Sequence, residues 1–279
     1  MEVHSMQKIE VRAVQDIQLY MLKILANLCD EHHIRYYLAA GTLLGAVRHH
    51  GFIPWDDDLD IQIPRSDYKR LLEVLKTGVL PDTMEYAHLG MADHHLPFCK
   101  VYYRNSKVIE SKLDSRYRES KIWIDVFPLD GLPKGRRIIR FHYFIAKKLR
   151  HVLYTALVDP KNLSGMQKWG TMILKPLSLT IGTQRICMMI ENFAQRHAVD
   201  SSPVIGNIEW ARNAGDALET DLYLPMIDLQ FEDTRFHCPK GYHEHLSRMY
   251  GDYMTPPPPD KRAIHSAGEF YLLDEQHGK

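Results

Sequence analysis

The stretch "GFIPWDDDLDIQIPRSDY", residues 51–68, sets Asp56, Asp57 and Asp58 in a row and Asp60 two positions on, directly before apolar Ile61 and Ile63. The alternation in "LDIQIP" reads as a strand that stops at Pro64. Over residues 58–63 the even-numbered side chains then share one face and the odd-numbered ones the other. Leu59, Ile61 and Ile63 enter the core, while Asp58 and Asp60 project together with Cα atoms about 6.6 Å apart. Two carboxylates so placed repel one another unless they grip divalent cations. Asp56 and Asp57 are left as turn residues or as support for the other two.

The flanking segments supply complementary chemistry. "IRYYLAA" reads as a short buried strand, and "GTLLGAVRHHG" as a glycine-marked turn followed by a short helix that ends at Gly51. Gly41 and Thr42 close the strand and open the helix, so their free N–H groups and the helix dipole make a seat for a phosphate. Further on, Asp125 lies in "KIWIDVFPLDG", a strand apolar on both sides and closed by Pro128 and Gly131. A carboxylate there is costly to bury without a metal or cation as partner. A site binding two ions through Asp58, Asp60 and Asp125 accounts for all three positions, and its oxygen ligands favour magnesium or manganese over zinc. Acids and metal beside phosphate-binding amides is the logic of phosphoryl transfer.

Other readings of the acids were weighed. A solvated turn explains Asp56 and Asp57 equally well. An EF-hand loop fits Asp56, Asp58 and Asp60 as first ligands, but Ile61 stands where its glycine is needed. A DxD can also belong to a sugar-nucleotide glycosyltransferase, against which "GTLLGAVRH" argues.

The remaining chain suggests an α+β fold with a mixed sheet. An amphipathic helix runs from Ser5 to Cys29 on Ile9, Val14, Ile17, Met21, Ile24, Leu25 and Leu28. Ser66 caps a helix with the stripe Tyr68, Leu71, Leu72 and Leu75. "MEYAHL", "FCKVYYR" and "KVIES" read as strands, the last two joined by a polar turn at Asn105 and Ser106. Residues 132–200 are helix-like and basic at the front; then come a hairpin, "MIDLQFEDTRFHCP", and a helix, "GYHEHLSRMYG". Lys plus Arg and Asp plus Glu number 35 each in the 279 residues, so no global charge calls for a nucleic acid. Four cysteines stand apart with no CxxC pair, which leaves reduced thiols as the expectation. The first residues hold no apolar signal segment, and no run of apolar residues is long enough to span a membrane.

Taken together, "AAGTLLGAVRHHGFIPWDDDLDIQIPRSDY", "KIWIDVFPLDG" and "KGYHEHLSRMYGDYMTPPP" resemble the LicD family of phosphotransferases, related to fukutin and the fukutin-related protein. The resemblance centres on residues 34–131 and 239–265, and the helical stretch is least matched. It implies a nucleotidyltransferase-like mixed sheet flanked by helices, in which a Gly-Thr or Gly-Ser turn precedes a metal-binding DxD and a third acid lies on a later strand. Asp58, Asp60 and Asp125 match those catalytic and metal-binding positions. The implied organisation is one LicD-type domain: an N-terminal helix (1–33), the core (34–131), a helical insert (132–200) and a C-terminal segment completing the site (201–279). Tyr242, Tyr250, Tyr253 and His265 match tail positions that the family keeps near its site.

The activity implied is transfer of a phosphorylated alcohol, most often phosphocholine from CDP-choline, to a sugar hydroxyl with release of CMP. The acceptor would be a cell-surface glycan, of lipopolysaccharide or teichoic acid type, or its lipid-linked precursor. Relatives use CDP-ribitol, so the donor alcohol stays open among choline, ethanolamine, ribitol and glycerol. A nucleotidyltransferase that releases pyrophosphate and a binding module with degenerate catalysis are the competing readings. A cytoplasmic enzyme that acts without nucleic acid is the expectation.

Arg48 and Lys100 are candidates for the diphosphate, with a surface ion pair as the alternative for each; Arg104 could serve in place of a second cation. Trp55 could stack on cytosine or a quaternary ammonium group, or be a core or lid residue. The spacing of His237, Cys238, His243 and His245 fits no zinc pattern. Arg136, Arg137, Arg140, Lys147, Lys148 and Arg150 surround aliphatic and aromatic residues. Residues 132–160 therefore read either as a peripheral contact with the inner face of a membrane or as a solvated helical cap over the site.

Overall fold

The computed structural model describes residues 6–224, 226–262 and 268–273. Strand β1 (Met6–Ile9) precedes helix α1 (Val11–Glu31), so the helix read from Ser5 begins only at Val11. The reason is a distant partner: β1 pairs antiparallel with the strand Gly268–Leu273, which local apolar spacing cannot reveal. Val14, Met21, Leu22 and Leu25 bury one stripe of α1, as the helical period requires. The same face carries buried Gln15 and Gln18. Gln15 donates to the carbonyls of Ile53 and Asp56, and Gln18 to that of Asp57, at 2.8 to 3.2 Å. A long helix thus anchors the backbone of the aspartate-rich loop.

The short strand β2 (Tyr37–Leu38), helix α2 (Ala40–His49), strand β3 (Asp60–Pro64) and helix α3 (Arg65–Leu75) follow as read, with one correction. Ser66 does not cap α3, which begins directly after Pro64; its hydroxyl donates to Asp200 at 3.2 Å. Next come β4 (Met84–Ala87), β5 (Cys99–Tyr103), β6 (Ser106–Glu110), β7 (Glu119–Ser120) and β8 (Trp123–Leu132). β5 and β6 are consecutive but do not pair with each other: β5 lies between β4 and β8, whereas β6 joins β7 and the strand Gly268–Leu273.

Helices α4 (Arg136–Leu157), α5 (Gly165–Ile181) and α6 (Thr183–Ala194) come next. The chain then adds β9 (Val204–Gly206), β10 (Leu218–Glu219), α7 (Thr220–Tyr223), the hairpin β11 (Met226–Phe231) and β12 (Thr234–Pro239), α8 (Tyr242–Tyr250) and β13 (Gly268–Leu273). The result is a mixed α/β architecture.

The main sheet is built on β8, whose ten residues are all buried. β3 runs parallel along one edge, and the opposite edge is shared antiparallel by β5 along Trp123–Val126 and β9 along Asp130–Leu132. Pro128 does not close this strand, which continues to Leu132. It falls between the stretches paired with β5 and β9, where its missing N–H breaks neither ladder. Ile61, Ile63, Ile124 and Val126 pack on one side of the sheet with α1.

A buried ionic cluster fixes α3 to the sheet and to the helices beyond it. Arg65 donates in fork fashion to both oxygens of Asp130 on β8, at 2.8 and 2.6 Å, and also to Glu209, while Glu191 of α6 approaches at 3.4 Å. One guanidinium faces three acids, and burial lifts the Glu209 carboxyl to about 8 despite the attraction of Arg65. Between its ordinary value of 4.5 and about 8 the folded protein binds a proton that the unfolded chain has released, so stability falls as pH rises through this window. Thermal melts from about pH 5 to about pH 8.5 should show a declining Tm, and Glu209→Gln should flatten the decline. A wild-type Tm that climbs over the same range would contradict this account.

Candidate active site

Three adjacent strands bring three charged side chains into one row. Asp60 on β3 is in register with Asp125 on β8, and Asp125 with Lys100 on β5. All three are buried. The Lys100 ammonium lies 2.9 Å from Asp125 Oδ1 and 4.1 Å from the centre of the Trp123 ring. Lys100 is therefore the counter-charge of Asp125.

Asp58, Asp60 and Asp125 line one cavity of about 370 Å³ with Asp56; β3 begins only at Asp60, so Asp58 reaches the cavity from the preceding loop and not by the strand alternation read for residues 58–63. Asp56 is the addition to that set. Asp57 points elsewhere and is fully buried. Burial first, then Asp58, Asp125 and Asp56, push the Asp60 carboxyl well above the usual range, with Lys100 opposing.

Four acids, Asp56, Asp58, Asp60 and Asp125, share this cavity. A hard divalent cation suits such a donor set of carboxylate oxygens. Among the described residues no three acidic, histidine or cysteine side chains converge tightly enough to enclose an ion as they stand. The fit thus rests on donor chemistry and charge.

Helix α2 supports the row from below. Ala39 precedes it in extended conformation, and Ala40 takes a positive φ of 44° to turn the chain into the helix. Gly41 faces the cavity, and a Cβ there would lie 2.5 Å from Asp56 Oδ2, so a side chain would compete with that carboxylate. Thr42 is buried and does not line the cavity; its hydroxyl accepts the backbone N–H of Asp60 at 2.9 Å. The Thr42 hydroxyl therefore positions an acid, a role separate from the phosphate seat read for its backbone N–H.

The remaining candidates are dispersed. Arg48 donates to the carbonyl of Tyr253 at 2.8 Å and does not line the acidic cavity. Trp55 packs against the core with the Arg262 guanidinium 4.5 Å from its ring centre, also away from that cavity. Arg104 pairs with Glu85 at 3.0 Å. Tyr250 lines the cavity, and its phenol is pushed up by burial and by Asp60. His265 lies outside the described residues. His237 bonds Asp228 and Asp30, whereas His243 bonds the Tyr253 hydroxyl, so the tail histidines are scattered.

Four further lining residues were not read from the sequence as part of the site, and the cavity wall is where they stand. Phe127, Trp210, Arg212 and Asp216 line it, and Arg212 makes no ion pair among the described residues. Asp216 is buried and accepts from Gln62 Nε2, the Asn207 N–H and the Tyr143 hydroxyl at 3.2, 2.5 and 3.2 Å. Only the pairing of Trp210 with a nearby cation in a Gly- and Asn-containing loop hinted at a site there. A larger cavity of about 800 Å³, lined by Lys134, Arg136, Arg140 and Arg248 among others, lies on the far side of the Asn213–Ala217 segment.

Comparison with known proteins bears on this geometry. The LicD/FKTN/FKRP nucleotidyltransferase-domain model matches residues 33–143, which include β3, β8 and all three acids. The lipopolysaccharide cholinephosphotransferase LicD of Haemophilus influenzae is 28% identical over 282 residues, spanning 96% of this chain and all of that protein. An uncharacterized Rickettsia prowazekii protein is 42% identical over 72 residues, 25% of this chain and 27% of its own. The mouse ribitol 5-phosphate transferase FKRP is 39% identical over 57 residues, 20% of this chain and 11% of its own. The relatives mark the chain as a transferase. The chain is thus similar to the LicD family, whose domain it matches over residues 33–143, and in part to the fukutin-related protein.

Thr42→Val keeps the shape of the side chain but leaves the Asp60 N–H unsatisfied. It should cost about 1–3 kcal/mol in denaturant unfolding, whereas Thr42→Ser should stay near wild type. Equal losses for both would show that the hydroxyl does not hold β3.

Proposed function

We propose that the protein is a metal-dependent phosphotransferase of nucleotidyltransferase-like fold. In this reading it moves a phosphorylated alcohol, phosphocholine from CDP-choline foremost, to a hydroxyl of a cell-surface glycan or its lipid-linked precursor. The observation that carries the reading is the in-register burial of Asp60 beside Asp125 in a cavity shared with Asp58, in a chain similar along its length to a cholinephosphotransferase.

Asp58, Asp60 and Asp125 would hold magnesium or manganese, which supplies charge neutralisation for the diphosphate and the departing CMP. The chain's own groups do the rest. Gly41 lines the cavity at the start of α2, whose N–H groups would meet a phosphate there once the Asp56 carboxylate beside it is drawn to a cation. Arg212 replaces Arg48 and Lys100 as the cation facing the diphosphate, because those two are engaged elsewhere. Phe127, Trp210 and Tyr250 offer aromatic faces for the cytosine ring or a quaternary ammonium group.

In the reaction a sugar oxygen bonds to the phosphorus that carries the alcohol, and the bond from that phosphorus to the oxygen shared with CMP breaks. Asp125, which lines the cavity, would take up the hydroxyl proton. The site would work on the cytoplasmic side, where CDP-alcohols are the donors.

Incubation with magnesium, an acceptor glycan and CDP-choline, CDP-ethanolamine, CDP-ribitol or CDP-glycerol should release CMP from one donor above the rest. Asp60→Asn and Asp125→Asn should lower that rate by about a thousandfold or more without loss of fold. Pyrophosphate release from CTP instead would assign nucleotidyl transfer, and full activity in both variants would remove the acids from the chemistry.

A further inference from the structure

Helix α5 is inverted relative to an ordinary surface helix. Its buried residues are Thr171 and Ser178, and the Ser178 hydroxyl bonds that of Thr155 on α4 at 2.6 Å. Its apolar residues face out: Met166 is 92% exposed, Ile173 74%, Trp169 66% and Leu177 57%. The neighbouring α4 adds exposed Ile138, Phe141 and Phe144. So much uncovered apolar side chain on adjacent helices marks a surface that meets something other than water.

Charge identifies the occupant. Residues 133–190 hold eleven Lys and Arg and one acid, Asp159, in a chain with equal numbers of acidic and basic residues overall. Arg136, Arg137 and Arg140 make no ion pairs among the described residues. We propose that α4 and α5 dock the enzyme on an anionic lipid bilayer, with Trp169, Ile173 and Leu177 entering the headgroup boundary and the arginines of α4 binding anionic headgroups. On α4 the exposed Ile138, Phe141 and Phe144 interleave with Arg136, Arg137 and Arg140, and exposed apolar residues among cations are the chemistry of an interfacial helix. A second copy fits poorly, since two such patches would place like charges face to face. A span is ruled out for these helices, none of which is long and apolar enough to cross a membrane.

Arg136 and Arg140 also line the larger cavity that borders the acidic one across Asn213–Ala217, so docking would bring the bilayer close to the site. The inference does not depend on which alcohol or nucleotide is transferred.

Sedimentation with vesicles of phosphatidylcholine, with and without phosphatidylglycerol, tests it in the absence of substrate. The wild type should bind the anionic vesicles and lose binding as salt is added. Trp169→Glu with Ile173→Glu, and separately Arg136→Glu with Arg137→Glu and Arg140→Glu, should each weaken binding by about tenfold or more. Circular dichroism melts check the fold of each variant. Should the apolar variant unfold, the salt series and the exposed arginine set decide alone. Wild-type protein left in the supernatant, or variants that bind as well as wild type, would overturn the proposal. So would a dimer dispersed by Ile173→Glu with no vesicle binding, which would assign the face to a second copy.

Discussion

Two carboxylates side by side on parallel strands, buried from water, constrain everything around them. Asp60 and Asp125 sit in register on β3 and β8, with Lys100 next in the row. Like charges at the spacing of neighbouring strands are unfavourable in a low-dielectric interior. A single ammonium offsets part of that cost. Asp58 and Asp56 add to it, which is why the carboxyl of Asp60 is so strongly disfavoured as an anion. In the proposed function a bound cation would relieve this repulsion.

The surrounding structure holds the acids in place against their repulsion. Thr42 accepts the Asp60 N–H, and Gln15 and Gln18 of α1 grip the carbonyls of the loop before it. Behind the sheet, Arg65 clamps Asp130 at the far end of β8, so the strand bearing Asp125 is fixed at both its ends, by β5 and by α3. The Gln62–Asp216 bond ties the next residue of that β3 face to the loop carrying Arg212. One connected set of buried polar contacts thus joins the core to the cavity wall.

The site was legible in the sequence to the extent that its signals were local. Period-two alternation separates Asp58 and Asp60 from their apolar neighbours, and an acid amid Ile124, Val126 and Phe127 announces Asp125. What escaped depends on partners far along the chain. Lys100 has the look of a phosphate ligand until β5 is seen beside β8, and Arg48 until Tyr253 is found under it. Arg212 and Asp216 carry only the faint local signal of a tryptophan and a cation in a Gly- and Asn-containing loop, because a turn between short strands places them. Pro128 looks like a strand end unless the gap between β5 and β9 is known. For α5, apolar spacing reports a helix with an apolar face but not that the face points outward, since burial is a property of neighbours.

The proposed function rests on the buried row of acids acting as a cation site. Titration of manganese followed by electron paramagnetic resonance, with magnesium as competitor, tests it without any choice of donor or acceptor. The account predicts manganese binding in the wild type that magnesium displaces, weakened by about tenfold or more in Asp60→Asn and in Asp125→Asn. Manganese affinity unchanged in both variants would contradict it.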